Sequence, residues 1–131
     1  MKRTVRLGVL GVALVASAAA FGQAAPRYDV KAEVVLTGKV VSLKTIPDWM
    51  GKDGVNIALQ SKDEGALTQH IDVATAGFLQ DYDFPIAVND ELTLTGSWSK
   101  SADGSPVFLV HELVKRKVAL NVRDSNGRPL W

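Results

Sequence analysis

Cysteine is missing from all 131 residues. Its absence excludes disulfides, thiolate metal ligands, thiol nucleophiles and covalent haem attachment. It also excludes a lipid-modified cysteine after an N-terminal leader. Histidine is nearly as scarce, with two in the chain, so any imidazole chemistry has to be built from His70 and His111. Aromatic residues make up 7%, too few for the interleaved stacking platform of a single-strand nucleic-acid binder. No apolar run reaches the roughly 20 residues that a membrane-spanning helix needs. Phosphate-binding glycine loops, dinucleotide fingerprints and nucleophile turns are absent as well.

What is present first is a leader. Residues 1–6 (MKRTVR) are cationic, residues 7–21 (LGVLGVALVASAAAF) are apolar, and GQAA follows with small residues. This is the order of a secretory signal peptide. Gly22 and Ala24 predict cleavage after Ala24, with Ala20 as the alternative. The chain then divides into a signal peptide (1–24), a polar lead-in (25–32) and one domain (33–131). Without Lys2, Arg3 and Arg6, the balance of 15 basic to 14 acidic residues becomes 12 to 14. The whole chain's basic balance is therefore no argument for nucleic acid. Export without cysteine predicts a periplasmic protein of the bacterial envelope, with no transmembrane span after cleavage.

The domain reads as β-structure with one interruption. VVLTGKVVSLKT carries closely spaced β-branched residues around Gly38, where a glycine inside a strand predicts a bend or a close contact. IPDWMGKDG is a loop by its Pro47 and Asp53-Gly54 signals. GVNIALQS alternates with period two, placing Val55, Ile57 and Leu59 inward. After the polar turn SKDEG, ALTQHIDV returns as a strand with Gln69, Ile71 and Val73 on the inner face. ATAGFLQDYD breaks the alternation and predicts two turns of helix ending before Pro85, with Phe78 and Leu79 in the core. ELTLTGSWS is a strand with Leu92, Leu94, Gly96 and Trp98 on one face. VFLVHELVKRKVALNV holds one or two strands, changing at KRK. Five strands with a helix between the third and fourth predict a five-stranded OB-fold-like barrel with a C-terminal β extension.

Four pieces carry a resemblance: TGKV at 37–40, HIDVATAGFL at 70–79, GSW at 96–98 and RDSNGRPLW at 123–131. Across residues 33–131 the chain resembles small exported bacterial single-domain OB-fold-like proteins of unknown function. More loosely, it is similar to periplasmic stress-associated OB-fold proteins. The resemblance implies the barrel and brings no catalytic residue with it.

On such a barrel, ligands meet the face of strands two and three and the loops joining strands one to two and four to five. Those loops hold Trp49 and Met50 on one side, and Trp98 and Lys100 flank the other. The four make a candidate binding rim for a sugar, a peptide or an apolar group; the competing expectation is that Trp49 folds back as a lid on the core. His70 and Asp72 share the outer face of strand three, and His111 lies on strand five. Together they are the candidate metal ligands, although zinc normally takes at least three protein ligands. Asp81 and Asp83 flank Tyr82 near a helix end, where carboxylates are solvated and do not face each other across a cleft. Lys115, Arg116 and Lys117 read as a solvated β corner. Trp131, after Pro129 and Leu130, predicts either a clasp onto its own domain or insertion into a neighbouring subunit.

The sequence therefore predicts a non-catalytic periplasmic binding or accessory module, with no cofactor, for an envelope protein partner or a small ligand. Two other readings remain open: a metal- or cofactor-handling protein using His70 and His111, and a structural or assembly domain of the envelope. The last would show itself as exposed apolar surface around Trp49, Trp98 or Trp131.

Overall fold

Strand β1 (Val34–Pro47) is long enough to serve two partners in turn. Its first half pairs with β4 (Glu91–Lys100) and its second with β2 (Asp53–Ser61), the handover falling at Gly38 and Lys39, which pair with both. Gly38 is required there by close approach: a Cβ would stand 2.1 Å from the Gln60 carbonyl oxygen. A bulge between Val40 and Ser42 completes the bend. The computed structural model describes residues 26–62 and 65–131. The leader expected at residues 1–24, with its cleavage sites, lies outside them.

The remaining elements are β3 (Leu67–Thr75), helix α1 (Ala76–Asp81), β5 (Pro106–Lys115) and β6 (Val118–Asn121). All strands join one sheet in the order β3-β2-β1-β4-β5-β6. The helix between the third and fourth strands and the C-terminal β extension lie where the sequence puts them. The five-stranded OB-fold barrel does not hold, because the sheet has six strands and is not a closed barrel. Its curl brings β3 back beside β5, but that parallel ladder is two pairs long, Ile71 with Phe108 and Asp72 with Leu109. On one side it is stopped by the kink at His70 (φ 60°) and by Pro106, which has no N–H to give. Past β5 the sheet runs on into β6 through a tight turn at Arg116 and Lys117, both at positive φ.

The inner face of the curl is the core. Val40, Leu59, Ile71, Val73, Leu92, Leu94, Phe108, Val110 and Leu113 are all buried there, each worth about 1.5–3 kcal/mol on transfer from water. Thr75 caps the helix by accepting from the Phe78 N–H at 3.2 Å, and Phe78 and Leu79 close one end of the core. Two face assignments fail, both at bulges: Trp98 does not share the face of Leu92 and Leu94, and Gln69 does not join Ile71 and Val73. A register shift between Thr95 and Gly96 reverses the alternation of β4, so Ser97 is buried and Trp98 is 46% exposed. Register shifts in the β2–β3 ladder likewise leave Gln69 outside. Lys115 departs from the solvated corner, pairing with Asp90 at 2.9 Å.

The C-terminus packs in cis. Leu130 donates to the Val122 carbonyl at 3.0 Å, and the Trp131 ring meets Phe78 edge-on at 6.3 Å.

Candidate functional site

A cleft of about 390 Å³ opens where the loop after β1 faces the loop between β4 and β5. Asp48 and Trp49 come from the first loop, Ser101, Asp103 and Ser105 from the second, and His70 and Asp72 rise from β3 between them. Local chemistry fixes each wall. Asp48 Oδ1 accepts from the N–H groups of Met50 and Lys52, both at 2.8 Å, closing the Asx turn that presents Trp49. Asp103 is bound by the hydroxyls of Ser101 and Ser105, which hold its carboxyl well below the usual range. His70 is exposed and held in the left-handed region at φ 60°, a backbone strain on the order of 1–3 kcal/mol in a non-glycine residue.

The electrostatics of the cleft are lopsided. Burial pushes Asp72 up to about 6, with Arg123 opposing and the charge of Asp48 adding to the rise. Asp48 keeps its second oxygen, Oδ2, buried without a hydrogen-bond partner. A buried carboxylate oxygen left without a donor costs about 1–3 kcal/mol. The cation that acts on Asp72 is spoken for. Arg123 is buried and donates to the carbonyls of Val110 at 3.2 Å and Gly127 at 2.9 Å.

Of the residues singled out by sequence, Trp49, His70 and Asp72 come together here. Met50, Trp98 and Lys100 are exposed but do not line the cleft, and Trp98 instead packs edge-on against Phe108 at 5.3 Å. His111 is engaged elsewhere. Its Nδ1 lies 2.7 Å from Glu33 Oε2, and Glu33 also accepts from the Tyr28 hydroxyl. Those two contacts, together with burial acting the other way, leave the Glu33 carboxyl below its ordinary range, the Tyr28 bond contributing most. Among the described residues no group of three or more histidine or acidic side chains is placed to hold a metal ion. Sequence reasoning missed Asp48 and Asp103, whose only signal was their place in turns, and Glu33, which lies 78 residues from its partner.

A protein-family model described as the MamS/MamX magnetosome protein family matches residues 33–120. No curated protein matches the chain. The family match replaces the resemblance to exported OB-fold proteins. It also overturns the free periplasmic location inferred from the leader, since the family is a magnetosome one. The expectation that the chain is no enzyme stands with this membership, and its role is that of a non-catalytic accessory protein. Among the described residues no helix is long and apolar enough to cross a membrane. With residues 33–120 of 131 matched, the chain belongs to the MamS/MamX magnetosome protein family.

Proposed function

We propose that the chain is an assembly domain in the building of the magnetosome membrane, and that its cleft takes a cationic segment of a partner protein. The observation that carries this reading is the pair of carboxylates in the cleft, Asp48 with a buried oxygen lacking a donor and Asp72 raised by burial against the pull of Arg123. An arginine or lysine side chain would supply the missing donors and the missing charge together. Trp49, exposed on the same wall, offers a ring face for a guanidinium. The strained His70 at the cleft floor fits a binding site, where such strain collects.

The test is a titration of the full chain with a short arginine-rich peptide, followed by amide resonances. Shifts are expected at Asn56, His70 and Ala102, and they should be lost in Asp48→Asn and Asp72→Asn. An acidic peptide of equal length should produce none. Shifts of equal size with both peptides, or shifts that survive both substitutions, would remove the cleft from the reading.

A further inference from the structure

Strand β1 outlasts one of its two neighbours. Its ladder with β4 ends at Lys39, opposite Glu91, while its ladder with β2 runs on to Pro47. The segment that leads into β4 leaves β1 directly afterwards. Val40 donates to the Asp90 carbonyl and accepts from the Asn89 N–H, both at 2.8 Å. From Ser42 to Ile46 no backbone partner faces that edge among the described residues. Alternate residues of an antiparallel pair turn their N–H and C=O groups away from the partner strand. The stretch therefore presents a row of unpaired donors and acceptors. The outer margin of β6, by contrast, is four residues long and follows the cations Arg116 and Lys117.

A groove of about 380 Å³ runs beside this free edge. Leu43, Thr45 and Val55 form its sheet side, and Leu79, Phe84 and Ile86 form the other. Leu43 is exposed there. Lys44, between the two β1 residues of the groove, takes the opposite face of the strand. It is exposed and makes no ion pair with a described residue. Residues 34–47 hold Lys39 and Lys44 and no acid. The edge thus combines open main-chain groups, an apolar face and a cationic face.

We propose that the 42–46 edge of β1 is completed by an extended strand of a partner protein whose residues alternate apolar and acidic. The partner's main chain satisfies the edge, and its apolar side chains enter the groove beside Leu43 and Thr45. Its carboxylates face Lys44 on the other side, where opposite charges across a strand pair are favourable. The pleat keeps those carboxylates away from Asp83, which lines the groove. A second copy of this chain is the poorer occupant. Antiparallel pairing of the stretch with itself about its centre sets Lys44 against Lys44, and like charges directly opposite are destabilising.

The experiment is amide hydrogen exchange on the full chain with a peptide of about eight residues, a common strand length, alternating valine and glutamate. The outward amides between Ser42 and Ile46 should slow by about tenfold or more with the peptide in excess. A valine–lysine peptide of equal length should bind about fivefold or more weakly, and Lys44→Glu should reverse that order. Two N-methylated forms of the valine–glutamate peptide test the backbone, one methylated at every valine and one at every glutamate. Only one edge of an added strand meets β1, so one form should lose the protection and the other keep it. Protection by both methylated forms or by neither, equal protection by the glutamate and lysine peptides, or no protection at all would overturn the proposal. Protection that grows with protein concentration in the absence of peptide would also overturn it, and would assign the edge to a second copy. The cleft selects cationic peptides and this edge acidic ones, so either proposal can fail with the other intact.

Discussion

Asp72 carries an electrostatic cost that the fold itself does not require. Its carboxyl rises from an ordinary value of 3.8 to about 6 on folding, chiefly through burial. The folded chain thus holds this proton more tightly than the unfolded chain. The contribution to stability is fully present below the unfolded value and is lost as the pH rises through the folded one. A rise of that size corresponds to about 3 kcal/mol as an order of magnitude. Asp72→Asn is therefore expected to leave urea stability at about pH 4 nearly unchanged, and to raise it by about 1–3 kcal/mol at about pH 7. A stability difference that is flat across that window would show that Asp72 is not desolvated. The same variant should lose the arginine peptide, which is the signature of a residue kept for binding at the expense of stability. His70 offers a second such trade. At φ 60° a glycine relaxes where a Cβ does not, so His70→Gly should be about 1 kcal/mol more stable than His70→Ala.

At the scale of elements, the bulges decide which side chains face the core. Gly96 lies at the β4 bulge, where a Cβ would stand 2.1 Å from the Leu109 carbonyl oxygen and 2.7 Å from the Phe108 ring. Neither neighbour is free to withdraw, so Gly96→Ala should destabilise by about 2–3 kcal/mol in chemical denaturation. Gly77, in α1 with open space around its missing Cβ, is the contrasting case. Gly77→Ala should stabilise by about 0.5–1 kcal/mol through helix propensity alone. These positions also explain what was legible in the sequence. Val55, Ile57 and Leu59 are buried as their alternation requires, because β2 keeps period two where it matters. Phe78 and Leu79 announce the helix by spacing. Trp98 was misplaced because one extra residue at Thr95/Gly96 inverts everything after it. The near-closure of the sheet was misjudged because it turns on two residue pairs between β3 and β5, which no local pattern encodes. The cleft was visible in pieces, as a loop tryptophan and a His-x-Asp on one strand face. What joined the pieces, Asp48 with its unpaired oxygen, depends on how a turn packs in three dimensions.

Across the whole molecule, the two ends of the domain are fastened to one another through a single cation. Arg123 is buried between two rings, with Tyr28 of the lead-in and Trp131 of the C-terminal clasp each 5.3 Å from its guanidinium carbon. Its hydrogen bonds to the Val110 and Gly127 carbonyls fix it to β5 and to the terminal turn. Burial lowers its pKa, while Asp72 and then Tyr28 act in the opposite direction. The cation therefore also connects the clasped ends to the carboxylate of the cleft. An arginine desolvated in this way draws on both rings, each within cation–π distance. Tyr28→Ala and Trp131→Ala should each lower the stability by about 1–3 kcal/mol. Because they share Arg123, the double variant should depart from the sum of the two by about 1 kcal/mol. Tyr28→Ala combined with Phe84→Ala, at the helix end of the core, is the control and should add within about 0.5 kcal/mol. Urea unfolding of the three single and two double variants beside the parent chain measures both quantities. If the Tyr28–Trp131 cycle closes as additively as the control, the two ends are held independently. The lead-in would then be held by the Asp29 N–H bond to Ser97 Oγ and by the Glu33–His111 pair rather than by the shared arginine.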